Sequence, residues 1–132
     1  MRQLLEDGAK AMGISLSQRQ LDQFETYHRL LVEWNEKMNL TAITEAREVA
    51  TKHFLDSIAG GPEILKVARG AKGGDSAAPI TLIDVGTGAG FPGLPLKIAF
   101  PEIKLTLLDS LQKRVNFLQE VVNQLGLEDV QV

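Results

Sequence analysis

Apolar residues recur at helical spacing through the first half of this chain and bunch into short runs in the second. Residues 2–11 place Leu4, Leu5 and Ala9 on one face, with Met12 after them, and Gly13 stops a short helix. Ser17 then supplies an N-cap, Gln20 stands at the N3 position of a capping box, and Leu16 and Leu21 take the staple positions. Leu21, Phe24, Tyr27, Leu30, Leu31, Trp34 and Met38 share one face of this second helix. Asp22, Glu25, Arg29, Glu33 and Lys37 share the other. Tyr27 and Trp34 could stack on bases, but among leucines at this spacing they read as core. Asn39-Leu40-Thr41 breaks the helix, and a third is predicted from near Thr44 to about Ala59. Gly60-Gly61-Pro62 ends it, with a short helical turn to follow over Glu63 to Ala68. Residues 69–79 are small, polar and glycine-rich without apolar periodicity, which predicts a flexible loop.

The second half changes period. Ile80 to Val85 and Ile103 to Leu108 are apolar runs of strand length, and Val130-Gln131-Val132 begins a third. Between them lie a helix from near Pro92 to Phe100, with both prolines in its first turn, and a helix from Leu111 to Leu125 stopped by Gly126. This β-α-β-α-β order predicts a parallel sheet with right-handed crossovers. The expected organisation is a helical region over 1–68, the loop over 69–79, and the first half of an α/β domain over 80–132. In such folds the first strand sits mid-sheet, flanked by a second half that this chain does not contain. The chain is therefore expected to be the N-terminal part of a longer protein, the alternative being a small domain closed by a partner chain.

Composition narrows the function. The mean hydropathy of −0.02 is that of an ordinary globular chain, and no apolar run approaches the ~20 residues of a membrane span. The start of the chain lacks the long apolar stretch of a signal peptide. There is no cysteine, which excludes disulfides, thiolate metal sites and a cysteine nucleophile. It also fits a cytoplasmic location. His28 and His53 are too few for a histidine metal site, so no metal is expected. The net charge is −3 and neither half is basic, so net charge alone does not suggest a nucleic-acid partner.

The chemistry gathers where the first strand ends. Gly86-Thr87-Gly88-Ala89-Gly90 is a glycine-rich turn between strand and helix, whose free N–H groups would serve polar or anionic ligand groups. Asp84 precedes it, and Asp109 closes the next strand about 20 residues further on, the distance at which a βαβ unit sets a carboxylate on a ribose. The dinucleotide fingerprint fails when counted from Gly86. It passes formally from Gly88, through Gly90 and Gly93, but starts two residues late and leaves Asp84 without a role. Acid-x-Gly-x-Gly-x-Gly, from Asp84 to Gly90, resembles the first motif of Rossmann-like S-adenosylmethionine (SAM) methyltransferases and gives Asp84 a partner in the methionine ammonium. A tight corner with no ligand, and an NAD(P)-type oxidoreductase, remain as alternatives.

Further segments carry a more specific resemblance. Leu31 to Asn35 with Asn39-Leu40-Thr41, His53-Phe54-Leu55-Asp56-Ser57, Asp84 to Gly93, and Leu108-Asp109-Ser110 with Lys113-Arg114 are similar to the RsmG (GidB) family. Its members are bacterial methyltransferases that modify N7 of a guanine in 16S ribosomal RNA. The resemblance covers nearly the whole chain, departing only in the Gly/Ala-rich stretch from Gly70 to Ala78. It implies a Rossmann-like SAM-dependent methyltransferase fold, truncated after about three parallel strands and preceded by a helical region. It implies SAM as cofactor, and 16S rRNA or the small ribosomal subunit as partner. The cofactor residues it implies are Asp84, Gly86, Thr87, Gly88, Gly90, Phe91, Asp109, Ser110 and Leu111. His53, Asp56 and Ser57 fall in a family signature and are candidates for supporting the site; within the helix, His53 and Asp56 are spaced to interact. No catalytic residue is assigned. A non-catalytic rRNA-binding module is the rival from another class.

Overall fold

The computed structural model of the chain describes residues 1–71 and 80–132. Helix α1 (Arg2–Ala11) ends in a Schellman arrangement, with Gly13 N–H on the Lys10 carbonyl and Ile14 N–H on the Ala9 carbonyl. Helix α2 (Gln18–Asn35) starts at the expected capping box. Ser17 Oγ accepts from Gln20 N–H at 3.1 Å, and Gln20 Oε1 accepts from Ser17 N–H at 2.7 Å. Leu21, Phe24, Tyr27, Leu30 and Leu31 of α2 are buried, and half-buried Trp34 packs on Phe117 with ring centroids 5.7 Å apart and planes tilted by 60°. Core packing is thus the role of both aromatics, with one addition at Tyr27 described below.

The third helix has the expected extent but not the expected geometry. It comprises α3 (Ala46–Glu48), a π-helical stretch (Val49–Leu55) and α4 (Asp56–Ala59). The wider turn buries Val49 with Phe54 and Ala50 with Leu55, pairs five residues apart rather than three or four. Helix α5 (Gly61–Ala71) follows and runs longer than the predicted turn over Glu63 to Ala68. The remainder of the expected loop, 72–79, lies outside the described residues.

Strands β1 (Ile80–Val85), β2 (Ile103–Leu108) and β3 (Val130–Gln131) form a parallel sheet in the order β1-β2-β3. Between them lie α6 (Gly93–Ala99) and α7 (Gln112–Leu125). This is the helical region and first three parallel strands of a Rossmann-like fold. The register pairs Ile80, Leu82 and Asp84 with Ile103, Leu105 and Leu107, on the face that receives α6. On the other face, Ile83 is 57% exposed and Val85 76% exposed, and β1 is an end strand.

The helical region is keyed onto the α/β half rather than tethered beside it. Helix α2 packs against α6 and α7, and one hydrophobic cluster runs from Leu5 through Phe24 and Phe54 to Leu107 and Phe117. Polar side chains of α2 finish open helix ends across this seam. Gln20 donates to the Ile98 carbonyl at 2.9 Å, and Gln23 donates to the Leu125 carbonyl at 2.9 Å.

Candidate cofactor site

Strand β1 delivers the glycine turn to the C-terminal edge of the sheet, beside the end of β2. Gly86 and Thr87 both donate to the Leu108 carbonyl, at 2.8 and 3.1 Å, so the β1–β2 seam continues into the turn. Gly90 and Phe91 donate back to the Thr87 carbonyl, and Gly93 opens α6. The turn thus satisfies most of its own amides. The expectation that they point outward for a ligand is met differently: it is space, not free N–H groups, that the turn offers.

That space is sorted by the glycines. At Gly86 and Gly88, with φ of 69° and 61°, a Cβ would meet nothing within 4 Å. Their positive φ calls for glycine, and the surface over them is open. Gly90 faces inward, where a Cβ would lie 2.5 Å from the Tyr27 hydroxyl oxygen. The Tyr27 hydroxyl donates to the Ala89 carbonyl at 2.5 Å. Burial pushes this phenol well above its ordinary pKa, and the Asp84 charge adds to the rise, so it stays a donor.

The two acids do different work. Asp84 Oδ2 accepts from Thr87 Oγ at 2.8 Å and from Gly93 N–H at 2.9 Å. One carboxylate oxygen therefore ties the turn to the first residue of α6, where a negative charge complements the helix dipole. Asp109 reaches across from the end of β2. Its Oδ2 accepts from Gly88 N–H at 2.9 Å, and its Oδ1 accepts from Leu111 N–H at 3.0 Å with Arg114 Nη1 at 3.5 Å. Burial opposes ionisation of Asp109, but the two amides and the Arg114 charge outweigh it and hold the carboxyl below its ordinary value. Ser110 and Leu111 are exposed just beyond, Leu111 at 51%.

Asp84, Gly86, Thr87, Gly88, Gly90, Phe91, Asp109, Ser110 and Leu111 thus converge on one edge. Of the second group, His53 reaches the turn by stacking on Phe91, with ring centroids 4.3 Å apart and planes 9° apart. Its Nε2 faces Thr41 Oγ at 2.9 Å, not Asp56. Burial lowers the His53 pKa, and the charge of exposed Asp56 offsets part of that. Ser57 is half-buried and makes no hydrogen bond to the turn. Sequence reasoning gave no site role to Tyr27, whose hydroxyl role the leucine-rich pattern conceals, or to Arg114, which it named only within the family resemblance and which stands in the first turn of α7. Among the described residues, no group of three or more His, Asp or Glu could hold a metal ion, and no helix is long and apolar enough to cross a membrane.

A glycine turn at the end of β1, a carboxylate ending β2, and helices crossing between parallel strands are the layout of the first half of a Rossmann-like fold. Residues 20–132 match the GidB family model, described as rRNA small subunit methyltransferase G. The chain is 54% identical over 129 residues to a ribosomal RNA small subunit methyltransferase G of Alkaliphilus metalliredigens, covering 98% of this chain and 50% of that protein. It is 57% identical over 118 residues to the protein of that name from Bacillus cytotoxicus, covering 89% and 45%. The chain belongs to this family. It spans about half the length of the curated relatives it matches.

Proposed function

We propose that the chain carries the cofactor-binding half of a cytoplasmic SAM-dependent methyltransferase acting on N7 of a guanine in 16S rRNA, with the RNA or the small ribosomal subunit as partner. The observation that carries the cofactor reading is Asp84 bonded to Gly93 N–H at the start of α6. A dinucleotide sets its pyrophosphate at this helix start. Here a carboxylate already occupies it, and the inward-facing Gly90 cannot serve as the glycine of close phosphate approach. SAM has no phosphate, and its ammonium suits the neighbourhood of Asp84.

The residues present fit that ligand. Asp109 would accept from the ribose hydroxyls, and exposed Leu111 offers an apolar surface for the adenine, with Ser110 beside it. Gly86 and Gly88 leave room for the ligand to lie against the backbone, while Thr87, Gly90 and Phe91 shape the turn. When bound, SAM would supply its methyl to guanine N7, an acceptor that carries no proton. No general base is needed, so the work of this chain is binding and orientation. The RNA would have to present the base unpaired or flipped.

Calorimetry tests the cofactor: a full-length relative should bind SAM and not NAD, and this chain, which spans about half that length, should bind SAM weakly or not at all. NAD binding without SAM binding refutes the reading. Methyl transfer from labelled SAM to small ribosomal subunits, mapped to guanine N7, tests the reaction; transfer to another atom refutes the target.

A further inference from the structure

Phe91 leaves the glycine turn and enters a cluster of rings supplied entirely by the helical region. His53 stacks on it at 4.3 Å and 9°, Tyr27 lies at 5.7 Å and 26°, and Phe54 is tilted against it at 6.2 Å. Tyr27 grips the same turn two residues earlier through the Ala89 carbonyl. The turn is therefore held from outside the α/β half, at two points, by side chains more than thirty residues distant in sequence.

His53 is itself fixed. Its Nε2 shares a hydrogen bond with Thr41 Oγ at 2.9 Å. Thr41 Oγ also accepts from Ile43 N–H at 3.1 Å, and the Thr41 amide donates to Asn35 Oδ1 at 3.0 Å, as does the Leu40 amide at 2.7 Å. A polar chain thus runs from the end of α2 through the following turn to the imidazole. The π-helical stretch adds the last element. Its wider turn sends Phe54 inward onto Phe24 and Tyr27 while His53, the adjacent residue, faces Phe91. π-turns are rare and occur mostly as single-turn bulges inside α-helices, frequently at functional sites.

We propose that His53 is a positioning residue of the cofactor site: fixed by Thr41 and stacked on Phe91, it sets the conformation of the glycine turn, with Tyr27 as the second point of support. The inference rests on the reading of that turn as a cofactor loop, but its test does not require the ligand. Amide hydrogen exchange at Gly88, Gly90 and Phe91 reports the turn directly. His53→Ala should speed exchange there about fivefold, the scale of one aromatic pair. Exchange at Leu105 and Leu107 in β2 should not change. His53→Phe keeps the stacked ring and should restore slow exchange. Thr41→Val leaves the ring but removes its anchor, should give an intermediate rate, and serves if His53→Ala does not fold. Unchanged exchange at the turn in both His53→Ala and Thr41→Val overturns the proposal. So does acceleration spread equally into β2, or a His53→Phe variant as fast as His53→Ala. SAM affinity measured on the same variants should follow the exchange order. If the variants exchange as expected yet the unsubstituted chain binds NAD in place of SAM, the cofactor reading fails and the positioning role stands.

Discussion

Replacing Asp84 by alanine should unfold the turn before it affects any ligand. The substitution removes one carboxylate oxygen that accepts from Thr87 Oγ at 2.8 Å and Gly93 N–H at 2.9 Å. Hydrogen bonds to a charged acceptor contribute about 1.5–3 kcal/mol each, and the pair shares one atom, so the two are not additive. Thr87 is 3% exposed and Gly93 is buried, so both donors are left without water. Relief of the cost of half-burying a carboxylate offsets part of this. The net expectation is about 3 kcal/mol of lost stability. With a urea slope of about 1–3 kcal/mol per molar, the unfolding midpoint should fall by roughly 1–3 M. Asp84→Asn retains an oxygen acceptor without the charge and should lose about half as much. Equilibrium urea unfolding followed by circular dichroism reads the difference. If Asp84→Ala shifts the midpoint by less than about 0.2 M while SAM binding is lost, Asp84 is a ligand residue only, and its assignment as the brace of the turn is wrong.

Other substitutions probe the rest of the site. Gly90→Ala combines a φ of 100° with a Cβ 2.5 Å from the Tyr27 oxygen and 2.6 Å from Leu94 Cδ1, and should destabilise by about 2–4 kcal/mol; an unchanged thermal midpoint would show that the turn can yield. Asp109→Asn should weaken SAM binding by about tenfold or more with a small stability change, whereas Asp109→Ala also removes the acceptor of the half-buried Gly88 amide and of the Leu111 amide and should be destabilising; equal SAM affinity in wild type and Asp109→Asn removes Asp109 from the ribose role. An NMR titration of His53 should give a midpoint below the ordinary 6.5. Because the folded chain holds His53 less readily protonated than the unfolded chain does, its contribution to stability is present above pH ~6.5 and is lost as pH falls through the folded midpoint; a midpoint above that of an unfolded control peptide contradicts the burial.

Sequence pattern carries most of this architecture because the signals are local. The capping box at Ser17 and Gln20, the left-handed stop at Gly126 and the two apolar runs at Ile80 and Ile103 each act within a few residues, and each element lies where its signal is. The π-helical stretch was harder to see. Its buried pairs, Val49 with Phe54 and Ala50 with Leu55, do stand five apart, but two such pairs inside an apolar helix also fit an ordinary turn with one residue misaligned. His53 is the clearest case of information that sequence does not hold. Spacing put it beside Asp56 on the same helix, and the actual partners, Thr41 and Phe91, come from a preceding turn and from a loop in the other half. Only the tertiary fold brings those three together.

The acids show why a motif match needs geometry before it becomes chemistry. By spacing alone, Asp84 and Asp109 were both ligand candidates. Asp84 spends one oxygen holding the turn to α6, and this internal use is also what makes the helix start unfit for a phosphate. On the proposed SAM reading, one arrangement would serve both the brace of the turn and the exclusion of a phosphate. Asp109 is held by an amide on each oxygen, and its side chain is 2% exposed. A ribose hydroxyl arriving at Oδ2 would share that oxygen with the Gly88 amide, as Thr87 and Gly93 share Asp84 Oδ2, and a hydrogen bond to the charged acceptor would contribute about 1.5–3 kcal/mol. For the proposed SAM reading, the exposed surface of Leu111 would add apolar contact beside that bond, next to a turn that Tyr27 and Asp84 hold and on whose Phe91 His53 stacks.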